Sequence, residues 1–211
     1  MALTIYGHPD SRTMRVLWAA HEVGLEYIHV PIRWDDPALK QADYLKINPA
    51  GSIPAIDDDG FTLGESLAII LYLAKKYGAR GARPLYPATV QGEAQVWRWA
   101  LWAQQHLEPY VQGDALLKTL REATAELAAP MIERACGLME TTLADRSWLL
   151  GADFTAADMC VAAILSPSRA AKLPLARFPR LRDWHLRCYH RPAAIKTRGP
   201  HPADSNPSWP D

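Results

Sequence analysis

The chain is poor in the patterns that mark several function classes. Its three cysteines, Cys136, Cys160 and Cys188, lie far apart, with no Cys-x-x-Cys pair and no Cys/His cluster at zinc-ligand spacing. No metal site is expected, a dithiol oxidoreductase is disfavoured, and the thiols read as buried spectators in helix-like segments. Neither sign of charge is in excess, since Lys plus Arg and Asp plus Glu each number 23. No overall field therefore draws the protein to nucleic acid or anionic lipid. No apolar run approaches the length of a membrane span. Leu3-Thr4-Ile5-Tyr6 comes with neither the basic region nor the apolar core of a signal peptide, so a cytoplasmic location is expected. Internal repeats are also missing.

What is present gathers in Asn48-Pro49-Ala50-Gly51-Ser52-Ile53-Pro54-Ala55-Ile56 and in the run from Phe61 to Ile70. Asn-Pro-Ala-Gly is a turn, because the residue before proline leaves the α region and glycine permits positive φ. Pro54 cannot donate to a sheet, so the strand it opens begins at an edge or a kink. An X-Pro bond in such a turn is a candidate cis peptide. That geometry turns the Ile53 N–H and C=O outward, ready to pair with a peptide backbone. Asp57-Asp58-Asp59-Gly60 is a hairpin turn, and Phe61-Thr62-Leu63 is the returning strand. Glu65 and Ser66 open an apolar-periodic helix whose free N–H groups and dipole attract a carboxylate. One ligand with a peptide bond and a free carboxylate could use both features.

In chain order, a strand at Leu3–Tyr6, a helix from Ser11 to Gly24 and a strand from Leu25 to Pro31 form a parallel unit with a helical crossover. A short helix spans Leu39 to Ile47. Gly78 to Pro87 breaks periodicity and reads as a linker. Everything beyond is helical: Val90 to Gln112, then Leu116 to Leu143, kinked or divided at Pro130. Thr155 and Asp158 stand as a capping box before an almost wholly apolar helix, with Phe154 and Met159 placed for a hydrophobic staple. Prolines cluster from Thr197 onward, where Trp209 could fold back over a pocket.

Ser52-Ile53-Pro54 and Glu65-Ser66 closely resemble the glutathione-binding motif of the cytosolic glutathione S-transferases, in particular the bacterial, serine-type (theta- or phi-like) members. Phe154-Thr155-Ala156-Ala157-Asp158 resembles that family's helix-capping motif. The resemblance implies an α/β plus all-α protein: a thioredoxin-like glutathione-binding domain over 1–78, a linker over 79–88, an all-helical domain over 89–198 and a Pro-rich tail over 199–211. It implies glutathione as co-substrate, a homodimer, and a detoxification-type transferase adding the glutathione thiolate to small hydrophobic electrophiles. A glutathione- or partner-binding module with little activity, or a glutathione-dependent peroxidase or dehalogenase, is the alternative.

By the same resemblance Ser11 is the hydroxyl that stabilises the thiolate, with Arg15-Val16 behind it similar to the family's Arg-Val. The spacing from Ser11 to Val16 is one residue shorter than in several serine-type classes, so Arg12 and Thr13 compete for the place. Tyr6, at the end of the first strand, is the tyrosine-type rival. Lys40 is assigned to the glycyl carboxylate, Ser52, Ile53 and Pro54 to the peptide edge, and Glu65 and Ser66 to the γ-glutamyl end. Trp102, His106 and Tyr110, at i, i+4 and i+8, share a helix face that could line the electrophile pocket or a packed interface.

Overall fold

The computed structural model describes residues 3–80, 84–111 and 115–204; Trp209 and the rest of the tail beyond 204 lie outside them. Leu3–Tyr6 (β1) leads through a turn into helix α1, Thr13–Glu22, and returns as β2, Tyr27–Val30. A 3-10 turn at Pro37–Lys40 precedes α2, Ala42–Ile47. The hairpin β3 (Ala55–Asp58) and β4 (Phe61–Gly64) then feeds α3, Ser66–Tyr77. Among the described residues these strands form one sheet in the order β2-β1-β3-β4, with β2 parallel to β1 and the other pairs antiparallel. This is the thioredoxin-like arrangement. Ile5 and Ile56 pair across β1 and β3, both fully buried, and mark the centre of the sheet. The hairpin turns on Asp59 and Gly60, whose φ values of 53° and 89° suit a two-residue loop.

One acid is held inside this unit. Asp58, 2% exposed, accepts from the hydroxyls of Tyr72 (2.7 Å) and Tyr77 (2.8 Å) and from Lys76 Nζ (2.7 Å). Burial pushes its carboxyl up, but the three donors outweigh that and hold it below the usual carboxylate range. The cluster pins the C-terminal half of α3 to the end of β3.

The helical part begins with α4, Val90–His106, capped by the Thr89 side chain, which accepts from the Gly92 N–H at 3.1 Å. It ends at His106, where Leu107 leaves helical geometry (φ −122°, ψ −54°) just ahead of Pro109. A four-residue helix α5 spans Glu108–Val111, and α6 runs Ala115–Thr142 with Pro130 inside it. α7, Ala156–Ile164, is buried along its whole length and packs on α4. Its capping box forms: Asp158 Oδ2 accepts from Thr155 N at 3.0 Å, while Oδ1 accepts from Leu149 N (2.8 Å) and Trp184 Nε1 (2.9 Å). The Phe154 ring meets Trp148 edge-on and lies under the Arg191 guanidinium. Helices α8 (Pro167–Ala170), α9 (Pro179–Tyr189) and α10 (Pro192–Arg198) follow.

The chain divides into two compact units, and the division differs from the expected boundaries at 78 and 198. The first unit runs to Tyr86 and takes back Pro192–Gly199; the second is Pro87–Arg191 with residues 200–204. Leu85 and Tyr86 are buried in the first unit, with Leu85 N–H donating to Gly78 C=O and Lys75 over the Tyr86 ring. Helix α10 packs against α1, and Thr197 Oγ1 meets His21 Nδ1 at 2.7 Å. Seven residues of modest periodicity carry no sequence signal of which unit they complete.

Candidate functional site

The first turn of α1 organises the site. Ser11 Oγ donates to the His8 carbonyl at 2.7 Å and accepts from the Thr13 N–H at 3.1 Å. It also lies 2.8 Å from Thr13 Oγ1. A hydroxyl has one proton, and that of Ser11 is engaged by His8, so in the Ser11–Thr13 pair Thr13 is the donor. Thr13 is fully buried, and Ser11 is half-buried above it. Gly7, with φ of 130°, permits this approach: a Cβ there would collide with Thr13 Oγ1 and stand 3.0 Å from Ile53 Cβ. Ser11, Thr13 and Ile53 are thus gathered around one glycine at the end of β1.

Arg12 is exposed on the turn. Tyr6 packs in a different environment. Its ring packs edge-on against Tyr44 (6.0 Å) within the small core of Leu39, Tyr44 and Ala55. Burial, with a smaller push from Asp57, raises its pKa, which makes it a weaker proton donor.

The Ile53–Pro54 peptide is cis. Pro54 is buried and Ser52 exposed. The Ile53 N–H and C=O have no partner among the described residues, whereas the Ser52 carbonyl is doubly held, by Asn48 Nδ2 and Tyr44 OH, each at 2.7 Å. Burial pushes the Tyr44 phenol up to about 12, so it remains a donor across the ordinary pH range. Asn48 also accepts from the Ala50 N–H, which closes the turn ahead of Gly51 (φ 57°). Lys40 Nζ donates to the Gly51 carbonyl at 2.8 Å. Read from sequence, Asn48 was turn punctuation; the structure makes it, with Tyr44, the support of the Ser52–Pro54 edge.

Ser66 begins α3 and is 5% exposed. Arg15 Nη1, on a side chain 2% exposed, donates to Ser66 Oγ at 3.4 Å. Glu65, exposed before it, holds φ at 65°, a left-handed conformation rare outside glycine and costing on the order of 1–3 kcal/mol. No side chain caps the first turn of α3. Free N–H groups, the helix dipole and a buried guanidinium therefore converge where an anion can bind. Arg15 was passed over as a binding residue. The signal for it is a cation set between Met14 and the apolar run Val16-Leu17-Trp18-Ala19-Ala20, since a charge at such a place needs a partner.

Trp102 and His106 lie in the helical unit, on the last turn and a half of α4. With Met131, Arg134, Ala135 and Leu138 of α6 they line a cavity of about 290 Å³. Tyr110 does not belong to this face. α4 stops before it and α5 carries it separately, so the i+8 spacing has no helical continuity. Among the described residues no group of three His, Cys, Asp or Glu side chains could hold a metal ion. Cys136, Cys160 and Cys188 are buried and in no disulfide, and burial pushes the Cys136 thiol up to about 12. No helix among the described residues is long and apolar enough to cross a membrane.

Comparison with known proteins bears on both units. The family model described as "Glutathione S-transferase, N-terminal domain" matches residues 11–76, and that described as "Glutathione S-transferase, C-terminal domain" matches 114–187. Glutathione S-transferase 3 of Zea mays is 32% identical, covering 98% of this chain and 97% of its own. The crystal structure of poplar glutathione transferase F1 superposes with a TM-score of 0.79 at 26% identity, over 93% of this chain and 96% of that one. The glutathione transferase URE2P6 of Phanerochaete chrysosporium, solved in complex with oxidised glutathione, gives 0.78 at 27% identity, over 92% and 94%.

Proposed function

Because the chain belongs to the glutathione S-transferase family, we propose that its transferase reaction is the addition of the glutathione thiolate to small hydrophobic electrophiles, with the residues of the α1–β3–α3 site as its machinery. It is a glutathione transferase and uses glutathione as co-substrate. Its own residues fit that peptide. The unpaired Ile53 N–H and C=O offer the backbone pairing that a tripeptide needs. Ser66, the start of α3 and Arg15 together offer an anion site for the γ-glutamyl carboxylate, with Glu65 positioned for the amine. Lys40 uses one of its three protons on Gly51 and keeps the others for the glycyl carboxylate.

The thiol needs help to ionise. A free thiol titrates near 8.5, and each unit of lowering takes about 1.4 kcal/mol of preference for the thiolate. Ser11 is the donor we assign. Turning its proton from the neutral His8 carbonyl to a thiolate replaces a neutral hydrogen bond with a stronger charge-assisted one. Thr13 N–H and Oγ1 remain behind it, holding the oxygen in place. The observation that carries the reading is this saturated Ser11–Thr13 pair beside the unpaired Ile53 edge.

Trp102 and His106 receive the electrophile in the α4–α6 cavity. Val90, Trp97 and Leu101 form an exposed apolar stripe along α4, and this supports a homodimer. A cytoplasmic home suits three cysteines that form no disulfide, since reducing compartments keep thiols reduced. The test is titration with glutathione while thiolate absorbance is followed against pH. Thiolate appearing well below the free thiol's pKa is the expected result. Tight binding with an unshifted thiol would replace the transferase reading with a glutathione-binding module.

A further inference from the structure

The α4–α6 cavity has a chemistry of its own. Trp102, Met131, Ala135 and Leu138 make an apolar wall, and Arg134 and His106 add the polar groups. The wall is braced: Trp102 meets the buried Trp99 edge-on at 5.1 Å, and Ala135 is itself buried, as are Cys136 and Met139 on the same helix. Neither Arg134 nor His106 has a hydrogen bond or ion pair among the described residues.

The reason lies in how α6 divides its faces. Positions 131, 134, 135 and 138 follow helical spacing and look toward α4. The acids at 133 and 140 fall on another face, where Glu133 is taken by the 3-10 turn Leu175–Arg177 and Glu140 by α9. Glu133 pairs with Arg177 at 2.7 Å, and Glu140 with Arg180 at 3.3 Å and the Leu181 N–H at 3.0 Å. Among the described residues Arg134 keeps its positive charge without an acidic partner, beside an apolar wall.

We infer that this cavity selects aromatic ligands of one or two rings that carry an anionic group, the ring against Trp102 and the acid at Arg134 with His106 beside it. A space of about 290 Å³ corresponds to about ten waters, the lower end of ligand pockets, and suits a molecule of that size. A guanidinium pairs with a carboxylate or sulfonate through two parallel bonds, and indole faces accept flat rings. This names the electrophile class for the cavity assigned above and rests on that reading.

The test is calorimetric titration of the full chain with 2-naphthoate and with 2-naphthamide, which share a ring system and differ in charge. Wild type is expected to bind the naphthoate at least tenfold more tightly. Arg134 is exposed and can be replaced without threatening the fold. Arg134→Gln should erase the preference while leaving naphthamide affinity alone, and Arg134→Lys should restore much of it. Equal affinities in wild type, a preference that survives Arg134→Gln, or no binding of either probe would overturn the inference. Glutathione is titrated in the same experiment without the probes. A chain that binds glutathione but ignores the charge of the naphthalene loses this inference alone, whereas one that fails to bind glutathione loses the transferase assignment.

Discussion

Two hydroxyls meet at the start of α1, and the proton count between them decides which can act. Ser11 spends its proton on a neutral carbonyl that a thiolate can displace, while buried Thr13 spends its own on Ser11. Ser11→Ala should therefore raise the pKa of bound glutathione by about one unit or more, equivalent to about 1.4 kcal/mol, with affinity largely kept. Thr13→Val should shift it less; the reverse order in ultraviolet titrations would move the donor role to Thr13. At the anion site Ser66→Ala removes a hydroxyl set between a helix start and a guanidinium. Hydrogen bonds to charged groups are worth about 1.5–3 kcal/mol, so glutathione should bind roughly tenfold to a hundredfold more weakly by calorimetry. Motifs of consecutive residues were legible here: Ile53-Pro54 and Glu65-Ser66 declare themselves in sequence. The supports were not. Arg15 is 51 positions from Ser66, and Tyr44 reaches Ser52 only because α2 folds under the turn.

At the scale of elements, local rules read well where they are self-contained. The Asp59-Gly60 hairpin and the Thr155–Asp158 box need only their own neighbours, and both formed as the residues dictate. Tyr110 failed because helical spacing was extended across a break that Leu107 and Pro109 impose. The box also does more than cap. Asp158, fully buried, gathers Leu149, Thr155 and Trp184, and so ties α7 to α9 and to the loop before it. Burial pushes its carboxyl upward, and the four bonds from those residues oppose the shift. Asp158→Asn keeps the volume but turns an N–H₂ toward donors. It should cost on the order of 3 kcal/mol, seen as a melting point roughly 6–12 °C lower.

For the whole molecule, the break in periodicity at Gly78–Pro87 and the family resemblance predicted two units, but not the path between them. Residues 200–204 return to the helical unit through His201. This ring is 2% exposed and lies against His185, Tyr189 and His190, while Asp204 takes His190 Nε2 at 2.8 Å. Burial first, and His190 after it, lower the His201 pKa below 6.5, with Asp204 pulling the other way. A lowered folded value means the unfolded chain binds the proton more readily. The contribution is therefore whole above pH 6.5 and is lost as pH falls through the folded value. Urea midpoints should drop over that window, and His201→Phe should flatten the slope. His21, also lowered by burial and by Lys196, should add a similar slope that His201→Phe leaves in place. The docking of α10 on α1 has a consequence for synthesis. The first unit combines the residues up to Tyr86 with Pro192–Gly199, so a ribosome releases its last helix only after the stretch Pro87–Arg191 between them has been made. Until Pro192–Gly199 emerges, α1 waits with one flank uncovered, and a fragment cut after Tyr86 should be less stable than the same unit supplied with α10.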